Sequence, residues 1–245
     1  MLRSNVLYNN DGSARYFGEK EIDRYLIAEY LRHIEKGVYV ECGAVNGLQQ
    51  SNTVILNYGY DWGGILVEPN PHSYKDLIRC RSHNNYIVNC ALVSHDYKEE
   101  YIEGFFDTHL VNKMVVAGEP SEKEYGDMMS GQIKTNFNYD KERFPSDEKL
   151  LKVSAKTLDE IFAKSGLKGA DFFSLDVEGY DLEVLQGWSP DKYPITYVLA
   201  EVPSAIPYLE QNNYTCIDKI GHNLLFKKTR CLTLRERFNT SENTS

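Results

Sequence analysis

The sequence predicts a doubly wound α/β fold: a mostly parallel sheet with crossover helices, finished by an antiparallel hairpin. Three observations carry that expectation. Short apolar runs alternate with helix-like segments along most of the chain, the pattern that βαβ crossovers produce. Two of these runs, Val38–Cys42 and Gly64–Val67, flank a glycine loop, and Gly47 lies 21 residues before Glu68, close to the spacing of a nucleotide-binding βαβ unit. The last regular stretch, Tyr214–Ile220 into Asn223–Lys227, reads as a pair of strands joined at Gly221–His222.

Element by element, residues 1–18 form an irregular N-terminal segment. Ile22, Tyr25, Leu26, Tyr30 and Ile34 then recur at helical spacing through Glu19–Lys36, with Gly37 as the stop. Strand one (38–42), a helix from near Ser51, strand two (64–68) and a helix over Pro71–Arg81 follow. Pro71 suits a first helical position because its missing N–H costs nothing there. Strand three is Tyr86–Leu92. Residues 106–149 break the rhythm with a polar stretch rich in Gly, Asn, Lys and Glu, read as a lid-like insertion. Order resumes with Leu151–Ala155, the helix Thr157–Ser165, the strand Ala170–Leu175, the helix Asp181–Gln186 and the strand Ile195–Val202. The domain is expected to span 19–228, and the polar stretch 229–245 to be a mobile tail.

The bulk numbers narrow the function. At 245 residues the chain can build one large domain. A formal net charge of −9 argues against a general nucleic-acid binder, which needs a basic face for phosphates. No apolar run reaches the ~18 residues of a membrane span, and Met1–Val6 lacks the apolar core of a secretory signal. Five cysteines without metal-type spacing fit neither a disulfide framework nor a zinc site. Cys42 and Cys90 lie in apolar runs as small buried hydrophobes. A reducing, cytoplasmic setting is expected.

The loop Glu41–Cys42–Gly43–Ala44–Val45–Asn46–Gly47 has no G-x-G-x-x-G. An acid at Glu41 would repel a dinucleotide's pyrophosphate but attract a cationic amino group. S-adenosylmethionine carries that amino group, two ribose hydroxyls and no phosphate, and so suits Glu41 plus Glu68 better than NAD. The plainer alternative is a tight strand-to-helix turn capped by a surface carboxylate. In a doubly wound sheet Glu41, Glu68, Asn89–Ala91, Asp176 and Glu201 would border one crevice outside the strand ends, the layout of a class I methyltransferase.

The run Asp176–Val177–Glu178–Gly179–Tyr180–Asp181, continuing through Leu185 to Gly187, resembles the FkbM family of S-adenosylmethionine-dependent O-methyltransferases, whose pattern is roughly D-x-E-G-x-E-x-x-x-L-x-G. Ser51–Asn52–Thr53, Val67–Glu68–Pro69–Asn70–Pro71, Asn89–Cys90–Ala91–Leu92, Thr157–Leu158–Asp159 and Ala200–Glu201–Val202 fall in the family's order, so the resemblance covers roughly residues 16–228. One departure stands out: the family loop is usually G-A-N-x-G, and Val45 takes the place of that asparagine. The resemblance implies that Glu41, Gly43 and Gly47 hold the methionine part of the cofactor and Glu68 its ribose. Cys90 and Ala91 would bound the adenine, and Ala44, Asn46, Ser51, Asn52, Pro69 and Asp176 complete the cofactor set.

Methylating a hydroxyl calls for a group that takes its proton or a cation that acidifies it. The candidates are Asp176, Glu178, Glu201 and His222. His222 is the preferred base because imidazole titrates near neutrality, although a turn histidine beside Gly221 needs no such role. Asp176 and Glu201 would orient the acceptor or hold a divalent cation, magnesium or manganese. Glu178 can equally cap the helix that follows. Glu183 and Asp159 read as solvated helix-face charges, and Trp62 and Trp188 as core. The expected acceptor is a sugar or glycan hydroxyl. The competing functions are a non-catalytic methyltransferase-like module of glycan assembly and, more remotely, an NAD-dependent oxidoreductase.

Overall fold

A computed structural model of the chain describes residues 8–9, 13–81, 83–105, 113–115, 150–177, 179–201 and 203–229. Six helices, among these residues, are labelled α1 (Ile22–Leu26), α2 (Val54–Tyr60), α3 (Pro71–Arg81), α4 (Leu158–Ser165), α5 (Asp181–Gln186) and α6 (Ala205–Gln211). The main sheet is built from β1 (Val38–Cys42), β2 (Gly63–Val67), β3 (Asn85–Val88), β8 (Ala170–Leu175), β9 (Ile195–Ala200), β10 (Tyr214–Ile220) and β11 (Asn223–Lys228). The intervening strands β4 (Ala91–Leu92), β5 (Tyr101–Phe105), β6 (Lys113–Val115) and β7 (Leu150–Lys156) form a second, smaller sheet.

The seven-stranded sheet runs β3-β2-β1-β8-β9-β11-β10. β1 pairs in parallel with both β2 and β8, so the chain winds outward from β1 in one direction and from β8 in the other. That reversal opens a crevice beyond the carboxyl ends of β1 and β8. β11 inserts antiparallel beside β9, and β10 closes the sheet antiparallel to β11. The doubly wound sheet with its antiparallel end is therefore as expected.

Strand alternation divides the core in two. Val40, Cys42, Ile65, Val67, Phe173 and Leu175 pack against Leu158, Ile161 and Phe162 of α4, Val184 and Leu185 of α5, and Leu209 of α6. On the opposite face Tyr39, Leu66 and Phe172 meet Ile22, Leu26, Ile27 and Leu31 of the N-terminal helical stretch, with Leu56 and Leu77. Both tryptophans are core residues: the Trp62 indole donates to the Ile34 carbonyl, 3.2 Å, and that of Trp188 to the Tyr193 carbonyl, 2.8 Å. No helix among the described residues is long and apolar enough to cross a membrane.

Local chemistry explains where the boundaries moved. The expected helix over Glu19–Lys36 is a 3₁₀ turn (Glu19–Glu21), α1 and a π turn (Ile27–Leu31), interrupted by left-handed Lys20 and Glu21. α2 begins at Val54 instead of near Ser51, because the Ser51 and Thr53 hydroxyls are drawn to Glu41. The predicted strand Tyr86–Leu92 is two strands: after β3 the chain leaves the main sheet, and β4 pairs in parallel with β7. α4 starts on a capping box, with the Thr157 hydroxyl accepting from the Glu160 amide and the Glu160 carboxylate accepting from the Thr157 amide. Strand β5 and helix α6 were not foreseen, the latter because it is only seven residues long and carries Pro207 in its first turn. Of the expected insertion only Lys113–Val115, paired with β5, is described; the tail beyond Thr229 lies outside the described residues.

Candidate active site

The strand registers place five residues in a row along the carboxyl edge. Val67 pairs with Val88, Cys42 with both Val67 and Leu175, and Leu175 with Ala200. The next residues in each strand are therefore neighbours: Asn89, Glu68, Gly43, Asp176 and Glu201. Leu224 pairs with Ala200, so the Gly221–His222 turn stands at the same edge, two strands from Asp176 or roughly 10 Å at ordinary strand spacing. His222 is exposed there. Glu178 lies outside the described residues.

Glu68 is buried, and its two carboxylate oxygens accept from the Val45 and Asn70 amides, each at 2.7 Å. Burial pushes its pKa up to about 7 against the pull of those two amides. Asn89 donates to the Glu68 and Pro69 carbonyls at 2.8 and 2.9 Å, fixing the loop that leaves β2. The Cys90 and Ala91 side chains are buried in the hydrophobic clusters.

Asp176 is exposed at this edge. Its pKa is pushed up to about 6, first by desolvation and then by repulsion from Glu201, Glu41 and Glu19. Asp181, at the start of α5, is the functional candidate that the sequence reading passed over. It is 1% exposed, and neither carboxyl oxygen has a hydrogen-bond partner among the described residues. Desolvation, then Asp176 and Glu201, lift its pKa to about 7, opposed only by the nearby Asp181 and Glu201 amides. In the sequence Asp181 is simply an acid in the first turn of a helix; its burial comes only with the fold, where α5 packs beside α6.

Glu41 sits beneath the loop. One of its oxygens accepts from the Ser51 and Thr53 hydroxyls at 2.9 and 2.7 Å, the other from the Asn52 amide at 2.9 Å. The Asn52 side chain donates to Ser174 at 3.0 Å. The two loop glycines are likewise taken up by the chain itself. A Cβ on Gly43 (φ +77°) would stand 2.0 Å from the Asp176 carbonyl oxygen, and one on Gly47 (φ +82°) 2.7 Å from Arg81 and Leu77 side-chain atoms. Val45, at the family's asparagine position, is held at φ +47°.

The loop amides are committed as well. Those of Gly43 and Ala44 donate to the Val67 carbonyl, that of Val45 to Glu68, that of Gly47 to Ala44, and those of Leu48 and Gln49 to the Asn46 side chain. A pyrophosphate would find few free N–H groups here and many carboxylates nearby. A cation bearing hydroxyls meets a complementary surface.

Among the described residues no three His, Cys, Asp or Glu side chains converge on a metal-sized site. The divalent cation expected at Asp176 and Glu201 thus finds no set of three such ligands among the described residues. Asp159, expected as a solvated charge, is instead largely enclosed. It accepts from the Ser189 amide at 2.8 Å and pairs with Lys192 at 3.7 Å.

The sequence profile of the methyltransferase FkbM domain matches residues 41–214, well over half of the chain and the whole row of strand ends. The chain belongs to the FkbM methyltransferase family. No curated protein matches it closely enough to align. Among solved structures, this FkbM protein is similar to a precorrin-6y C5,15-methyltransferase from Geobacter metallireducens GS-15. The identity is 11% and the TM-score 0.43, over 91% of this chain and 99% of the other. Membership makes the protein a methyltransferase.

Proposed function

We propose that this FkbM protein is an S-adenosylmethionine-dependent O-methyltransferase acting on a hydroxyl of a sugar or glycan. The observation that carries this reading is Asp176: a solvent-facing carboxyl at the switch point of the sheet, with a pKa of about 6. The chemistry of the surrounding residues fits the cofactor. Glu68, whose oxygens keep lone pairs beyond the two amide bonds, suits ribose hydroxyls. The carboxylates of Asp176 and Glu201 suit a sulfonium and an ammonium group, whereas Glu41, expected at the methionine end, is buried and taken up by Ser51, Asn52, Thr53 and Arg81; Asn89 and Pro69 border the position for the base. Bound there, the cofactor supplies an electrophilic methyl group.

The chain's own part is to align the acceptor hydroxyl and take its proton. Asp176 is ionised for most of its population at neutral pH, and its raised pKa makes it a better proton acceptor than an ordinary aspartate. Glu201, one strand over, orients the hydroxyl. His222 stands at the same edge, within reach of a large acceptor. The sugar or glycan assignment rests on the family resemblance. The free thiols of Cys42, Cys80, Cys90 and Cys216 fit a cytoplasmic setting.

The reading is tested by incubating the protein with methyl-labelled S-adenosylmethionine and a panel of mono- and oligosaccharides, with Asp176→Asn alongside. Label should appear as a methyl ether and fall sharply in the variant. Label on nitrogen, or equal transfer by Asp176→Asn, would overturn it.

A further inference from the structure

Arg81, the last residue of α3, belongs to no motif of the sequence and lies fully buried beneath the loop that follows β1. All its donor groups are used. Nε donates to the Asn57 side chain at 3.2 Å; Nη1 to the Gly47 carbonyl at 2.9 Å and the Ser51 hydroxyl at 3.2 Å; Nη2 to the Tyr39 and Thr53 hydroxyls, both at 2.8 Å. Its guanidinium lies 3.8 Å from the Glu41 carboxylate. Glu41 in turn holds Ser51, Asn52 and Thr53.

The two charges thus grip the same short stretch of chain from opposite sides. Arg81 takes the carbonyl end at Gly47, and both take the hydroxyls at Ser51 and Thr53. The grip also explains a motif glycine. A side chain at position 47 would run into Arg81 Cγ and Leu77 Cδ1, each 2.7 Å from the added carbon. Gly47 is therefore required by the arginine below it, and Glu41 is occupied as the arginine's counter-ion and anchor.

We propose that Arg81 is a positioning residue: with Glu41 it sets the conformation of the 43–53 loop, and through that loop the affinity for the cofactor, without touching the cofactor itself. The inference rests on the proposal that the loop belongs to an S-adenosylmethionine site. Replacing Arg81 strands Glu41 as a buried unpaired charge and releases the Gly47 carbonyl and three hydroxyls at once. Lysine keeps the charge but cannot reproduce the planar fork.

The experiment is titration calorimetry of S-adenosylhomocysteine into the wild type, Arg81→Lys, Ser51→Ala and the remote control Tyr30→Phe. Tyr30 donates to Asp218 at 2.8 Å, away from the loop. Amide hydrogen exchange is followed in parallel. Arg81→Lys should weaken binding by at least roughly tenfold, with faster exchange at the loop amides and unchanged exchange in β8 and β9. Ser51→Ala should weaken it less and in the same direction, while Tyr30→Phe loses stability with wild-type affinity. A folded Arg81→Lys protein of wild-type affinity would overturn the proposal. If that variant does not fold, Ser51→Ala decides, and unchanged affinity there overturns it equally. Failure of the wild type to bind would instead bring down the cofactor reading beneath it.

Discussion

Gly43 and Asp176 meet backbone to backbone: a Cβ at Gly43 would lie 2.0 Å from the Asp176 carbonyl oxygen. The first loop of the sheet and the loop bearing the proposed base are thereby fixed against each other at the switch point. Gly43→Ala must both push the two loops apart and hold an alanine at φ +77°. A loss of about 2–4 kcal/mol is expected, measurable by urea unfolding. Wild-type stability in that variant would show that the contact is dispensable.

Val45 is a β-branched residue held at φ +47°, a conformation that asparagine tolerates much better. Val45→Asn, which restores the family's residue, should raise stability by about 1 kcal/mol and keep the amide bond to Glu68. Thermal melting checks this, and a lowered melting temperature would contradict it.

Glu68, Asp181 and Asp176 have folded pKa values pushed up to about 7, 7 and 6, from ordinary values of 4.5, 3.8 and 3.8. Across that window the folded protein binds more protons than the unfolded chain, so the sign is fixed: stability falls as pH rises from about 4 to 7. Asp181→Asn removes a buried charge whose oxygens have no hydrogen-bond partner among the described residues. It should flatten the slope and stabilise the protein at pH 8 by on the order of 2 kcal/mol. Unfolding free energies measured from pH 4.5 to 8 give the answer, and an unchanged slope in the variant would contradict the assignment.

Asp176→Asn should leave cofactor affinity within a few-fold and lower turnover by roughly 10²–10⁴. Wild-type turnover should rise with pH through about 6, as the carboxyl ionises. Steady-state kinetics from pH 5 to 8 test both, and a pH-independent rate would remove Asp176 from the proton transfer.

The ends of the strands were legible in the sequence, because an apolar run stopping at an acid is a local signal; hence Glu68, Asp176 and Glu201 stand where the sequence put them, whereas Glu41 lies inside β1, one residue short of its end. Their division of labour was not. Glu41 and Glu68 look alike in sequence, yet one is tied to Ser51, Asn52 and Thr53 and the other to two backbone amides at the crevice. Arg81 reads as an ordinary cation in the last turn of a helix, and only the close approach of Gly47 reveals it as a buried hub. β4 is two residues long, too short for any periodicity to register.

The central claim is that the carboxyl edge of this sheet binds S-adenosylmethionine. Calorimetric titration of the folded wild-type protein with S-adenosylhomocysteine, beside an NAD titration, tests it most directly. The account predicts binding of S-adenosylhomocysteine in the micromolar range, about −8 kcal/mol, with no heat from NAD. Folded protein that binds NAD, or neither ligand, would contradict it.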